Sequence, residues 1–127
     1  MKLRIKGDSL RLRVSRAELA RLLAGERVDD TIHFGPTPEA RLTYALESVS
    51  GGVCASVRHS ATEIAIILSE GQLRSWGEAG RVGIYTTVDV GLAVRLELII
   101  EKDFACLDRT DEDGEDTFAN PNALEVC

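Results

Sequence analysis

The 127-residue chain is predicted to form an α+β, strand-rich fold, made of a duplicated strand-strand-helix-strand-strand unit with two short helices and closed as a pseudo-two-fold barrel or sandwich. Three observations predict it. Displaced by 54 positions without a gap, Lys2 to Glu47 falls on Ser56 to Glu101. Eight pairs then coincide: Arg4/Arg58, Ser15/Ser69, Leu19/Leu73, Arg27/Arg81, Val28/Val82, Arg41/Arg95, Leu42/Leu96 and Glu47/Glu101. Average residue frequencies would give roughly three. A helix-start signature occurs in register in both copies, as Ser15-Arg16-Ala17-Glu18 and Ser69-Glu70-Gly71-Gln72. Around these signatures, apolar residues recur at every second position, the period of a half-buried strand.

Each element follows from local pattern. Leu3 and Ile5 alternate with Lys2, Arg4 and Lys6; after the turn Gly7-Asp8, Leu10, Leu12 and Val14 alternate with Ser9, Arg11 and Arg13. This predicts a hairpin with one charged face. Ser15 caps a short helix with Leu19, Leu22 and Leu23 inward, and Gly25 ends it. Strands follow over 28–34 and 40–47, split by the breaker Gly35-Pro36-Thr37-Pro38. The second copy predicts strands over 53–58 and around Ile64, Ile66 and Leu68. A helix with Leu73 and Trp76, closed by Gly80, and strands over 82–88 and 92–100 complete it. Ala65 and Ile67 make the Ile64–Leu68 strand apolar on both sides, so both its faces are expected to be covered.

Residues 1–102 are thus read as a single globular domain of two repeats, 2–47 and 56–101. Periodicity stops at Asp103. Residues 103–127 read as an acidic C-terminal tail, packed on the domain through Phe104, Leu107, Phe118, Leu124 and Val126 or partly disordered, with 108–117 the most mobile.

Hydrophobic residues make up 44% of the chain but aromatics only 5%, so the core must be mostly Leu, Ile and Val. No apolar run approaches the ~20 residues a membrane helix needs, and the start alternates where a secretory signal would be continuous. A cytoplasmic protein with no membrane association is expected. Cys54, Cys106 and Cys127 show no C-x-x-C spacing and cannot all pair, which argues against a disulfide framework or zinc site. Alternating Val53, Ala55 and Val57 around Cys54 suggest a small buried thiol.

Net charge is −6, unevenly spread. Residues 1–27 hold eight Lys and Arg against three acids, a balance of +5; residues 103–127 hold one Arg against eight acids, a balance of −7. Alternation places Lys2, Arg4, Lys6, Arg11 and Arg13 on one face of the first hairpin. This is a candidate phosphate-contacting surface, and a charged edge of this kind also blunts strand aggregation. The repeat positions of Lys6, Arg11 and Arg13 are Ser60, Ala65 and Ile67, so the stripe exists once per chain. The acidic tail is expected to lie against it and screen it.

The segment Lys6-Gly7-Asp8-Ser9-Leu10-Arg11-Leu12-Arg13-Val14, the helix after it, and Val28-Asp29-Asp30-Thr31-Ile32 together resemble the swapped-hairpin domain of AbrB-like regulators and MazE-like antitoxins. The resemblance covers about residues 2–34 and, more faintly, 56–88. It implies a DNA-binding module made of two copies of the motif, with Lys6, Arg11 and Arg13 among the DNA-contacting cations. Family members are homodimers with proline where this chain has Ser15; here the second copy is covalent. The whole chain, including Glu101-Lys102-Asp103-Phe104-Ala105-Cys106-Leu107-Asp108, also resembles a group of small bacterial proteins of unknown function.

A non-enzymatic binding protein, acting on DNA or a partner protein as a monomer or homodimer, is the function expected. The alternative is a small-ligand or metal-binding barrel, including an enzyme similar to the vicinal-oxygen-chelate group. His33, Glu47 and Glu101 are its only starting donors, Glu47 and Glu101 being repeat equivalents. No nucleophile motif, phosphate loop or calcium loop is present, so no catalytic residue, metal ligand or cofactor is assigned.

Overall fold

A computed structural model describes residues 1–51 and 54–104. The order is β1 (Lys2–Ile5), β2 (Ser9–Val14), α1 (Arg16–Leu23), β3 (Val28–His33), β4 (Arg41–Val49), β5 (Ser56–His59), β6 (Glu63–Ser69), α2 (Glu70–Gly77), β7 (Gly83–Gly91) and β8 (Val94–Lys102). Both halves therefore follow the predicted strand-strand-helix-strand-strand order. The strands form two four-stranded sheets, β1-β2-β8-β7 and β3-β4-β6-β5, rather than a closed barrel.

Each sheet combines hairpins from both repeats. The first hairpin of repeat one joins the last hairpin of repeat two through the parallel pair β2–β8, and the other sheet is built the same way through β4–β6. The registers match as well. The displacement that carries Ser9 to Glu63 also carries Thr43 to Glu97, and the seams pair Ser9 with Glu97 and Thr43 with Glu63. Likewise Lys2 faces Arg13, and their counterparts Ser56 and Ile67 face each other.

One pairing breaks the symmetry. Val28 faces Leu46 in β3–β4, but Ile84, not Val82, faces Ile100 in β7–β8. The matched pairs Arg27/Arg81 and Val28/Val82 are therefore not structural equivalents. A two-residue slip returns every side chain to its original face, so the hydrophobic pattern tolerates it. It accompanies a tighter turn at Leu92-Ala93, which have φ of 52° and 63°, where the first repeat has a seven-residue loop over 34–40. Both residues take the left-handed geometry of hairpin turns.

Both helices start where the sequence predicts, and for the predicted reason. The hydroxyls of Ser15 and Ser69 accept from the backbone N–H of Glu18 (3.2 Å) and Gln72 (3.1 Å), and the Glu18 and Gln72 side chains accept from the serine N–H groups in return. Gly25, at φ +87°, closes α1, where Glu26 N donates to Arg21 O at 3.0 Å. Leu22 of α1 and Leu73 and Trp76 of α2 enter one core with Leu10, Leu12, Val14, Val28, Leu46, Ile66, Leu68, Leu98 and Ile100. Leu23, expected inward, is half exposed and turns toward α2, its Cδ1 lying 3.1 Å from the place a β-carbon on Gly77 would take.

As expected, β6 is covered on both faces, with Ala65 fully buried and Ile67 half buried. Cys54 corrects an expectation: it is exposed and precedes β5, on the same side as Ser56 and Arg58, while Ala55 takes the buried position. Gly83 is required by a close approach. A β-carbon there would lie 2.5 Å from Ile100 O and 3.2 Å from the Tyr85 ring. No helix among the described residues is long and apolar enough to cross a membrane. The expected mobile stretch 108–117, and Cys106 and Cys127, lie outside the described residues.

Candidate functional site

In β1–β2, Lys2 faces Arg13 and Arg4 faces Arg11. Directly opposed residues of an antiparallel pair share a face, with β-carbons about 4.5–5.5 Å apart. Four cations thus occupy the outer surface of one hairpin, the inner side being Leu3, Leu10, Leu12 and Val14. Lys6 follows β1 in the turn, its N–H donating to Ser9 O at 3.1 Å while Gly7 takes φ +54°. Like charges placed opposite one another destabilise a sheet, so this pairing carries a cost in stability.

Among the described residues, Arg11 and Lys2 lie against carboxylates. Arg11 Nε lies 3.3 Å from Glu101, which also accepts from the Tyr85 hydroxyl at 2.8 Å. Lys2 Nζ lies 3.0 Å from Asp103. Asp103 N donates to Val14 O at 2.9 Å, which extends the parallel β2–β8 ladder by one residue and holds Asp103 beside the end of β2. Lys6 and Arg13 form no ion pair among the described residues.

The corresponding face of the other sheet is internally neutralised. Arg27 reaches Asp29 (2.9 Å), Glu47 (2.9 Å) and Glu63, and Arg58 bonds Glu47 and lies 3.6 Å from Glu63. Ala45 and Ala65, paired on this face between Asp29 and Arg58, are buried. Small side chains on the sheet allow the long arginines to lie across it. Among the described residues the cationic face therefore occurs once. Sequence reading missed this network because its members come from four different strands or their ends.

The hydrogen bond from Arg27, assisted by the positive charges of Arg27 and Arg58, holds the Glu63 carboxyl below its ordinary range against the opposing effect of burial. A carboxylate with a depressed folded-state pKa stabilises above its unfolded pKa, about 4.3 for glutamate, and the contribution disappears as pH falls through the lower folded value. Thermal melts of Glu63→Gln are expected to lose less stability than the parent between neutral pH and pH values below that range. Parallel curves would remove the assignment.

His33, Glu47 and Glu101 do not converge. Glu47 and Glu101 lie on the outer faces of different sheets, each bound to arginine, and His33 is exposed at the end of β3. Ile32 and Phe34 beside it are also exposed, because this end of β3 runs past the core. Among the described residues no three His, Cys, Asp or Glu side chains group as a metal site. An open cleft of about 380 Å³ between α2 and β7 is lined by Gly71, Gln72, Ser75, Trp76, Arg81, Gly83 and Ile84. It was not foreseen, since nothing in the local pattern places Arg81 beside Gln72. It can hold a polar group but contains no acid-base pair.

No curated protein and no solved structure matches the chain. A family model, described as a family of unknown function (DUF7009), matches residues 1–122. The chain, with its duplicated unit and single cationic hairpin, therefore belongs to that family.

Proposed function

We propose that the outer face of β1–β2 binds a polyanion, with duplex DNA as its ligand, and that the protein is a non-enzymatic regulator of the AbrB-like kind. The observation that carries the reading is the two pairs of opposed cations, Lys2–Arg13 and Arg4–Arg11, flanked by Lys6. A two-stranded ribbon is narrow enough for the major groove, and hairpin exchange between the repeats supports the likeness to swapped-hairpin regulators. The protein's net charge of −6 does not prevent this, because the cations are gathered on one surface.

Filter binding of a duplex oligonucleotide over a salt series tests the proposal. Retention should fall log-linearly with salt, with a slope of roughly −0.9 per phosphate contacted. Lys6→Glu with Arg13→Glu should abolish retention at salt where the parent binds, without changing the melting temperature by more than a few degrees. A parent protein not retained at the lowest salt, or a variant retained like the parent, would refute it.

A further inference from the structure

The four sheet edges are unequal. The edge strands are β1 and β7 in one sheet and β3 and β5 in the other. Three of them carry charge along their length: Lys2 and Arg4 on β1, Asp29 and Asp30 on β3, Arg58 on β5. Charged residues on an edge are a common device against pairing with another chain. Strand β7 has none from Gly83 to Val88, and its residues Ile84, Tyr85, Thr86, Thr87 and Val88 are all strong strand formers.

Its outward backbone groups can be assigned. Lys102 N donates to Val82 O at 3.0 Å, so Val82 and Lys102 are a hydrogen-bonded pair. Alternation in an antiparallel ladder then directs the N–H and C=O of Ile84, Thr86 and Val88 to β8, and those of Gly83, Tyr85 and Thr87 away from it. Tyr85 is 59% exposed.

From this edge we infer that β7 pairs antiparallel with β7 of a second copy of the chain, with Tyr85 on the two-fold axis. In that register Gly83 faces Thr87 of the second copy, Val82 faces Val88, and Arg81 faces Asp89. The last pairing selects the partner and the register. Strand β7 has a cation just before one end and an anion near the other, so an antiparallel copy brings each Arg81 to an Asp89. Self-pairing of β1 about Leu3 would instead bring Lys2 against Arg4, and neither β3 nor β5 carries a cation and an anion at its two ends. The dimer joins the two sheets as one of eight strands with a basic hairpin at each end, and it stands whether or not those hairpins bind DNA.

Sedimentation velocity on the full chain over a micromolar concentration range tests the inference. The parent should sediment as a dimer. Arg81→Glu or Asp89→Lys alone should weaken association by roughly tenfold, since each replaces two attractions by two repulsions. The two changes in one chain should restore association by reversing the pair. Thr87→Pro, which removes an N–H not used by β8, should give a monomer, with circular dichroism confirming its fold. A parent that stays monomeric, single reversals without effect, or a double variant as weak as the singles would overturn the inference.

Discussion

Trp76→Ala is expected to lower the unfolding free energy by about 3–5 kcal/mol, the usual range for losing a large aromatic from a core. Trp76 is 1% exposed, and it is the largest fully buried side chain described. Its repeat counterpart, by the 54-residue displacement, is Leu22, also 1% exposed. The second repeat therefore fills with an indole the layer that the first fills with an isobutyl group. The indole Nε1 donates to Val82 O at 3.1 Å, and that carbonyl also accepts from Lys102 N at 3.0 Å. Alanine would thus leave the carbonyl with one partner, and most of the loss would come from the cavity. Trp76→Phe should recover more than half of it. Urea unfolding followed by circular dichroism measures both, and a cost below about 1 kcal/mol for alanine, the size of an ordinary substitution, would show that the indole is not packed as described. As the chain has a single tryptophan, the parent's emission should also be blue-shifted and should move red on unfolding.

Much of the fold was legible because it is written in short-range pattern. The serines at 15 and 69 and the acid or amide three residues later specify where each helix starts, and both capping boxes form. Alternation placed Lys2, Arg4, Lys6, Arg11 and Arg13 on one face; the register bears this out for Lys2, Arg4, Arg11 and Arg13, while Lys6 lies in the turn beyond β1. Alternation does not encode which strand lies beside which. The parallel seams β2–β8 and β4–β6 join distant parts of the chain and left barrel and sandwich equally open. The slip that puts Ile84 where Val82 was expected was hidden for a related reason, since it moves residues by a whole period. Exposure at Ile32, Phe34 and Leu23 reflects how far the core extends, which depends on neighbours rather than on spacing. The cationic face was visible in outline, but the neutralising network around Arg27 was not, because Glu47 and Glu63 reach it only after the sheets assemble.

Hairpin exchange has its largest consequence when the repeats are separated. A polypeptide of residues 1–54 holds one hairpin of each sheet and neither parallel seam, and the same is true of 55–127. Two-stranded hairpins are at best marginally stable in water, and the apolar faces of β2, β4, β6 and β8 would have no partner. Each half should then be unfolded as a monomer, and a half that orders only by self-association repeats the exchange in trans.

Mixing the two halves while recording far-ultraviolet circular dichroism and Trp76 emission is the most direct test. If each sheet needs strands from both repeats, equimolar mixing regains the parent's strand signal and its shielded indole, and neither half shows them as a monomer. A half that unfolds cooperatively as a monomer, with no gain on adding the other, would mean that the repeats close independently.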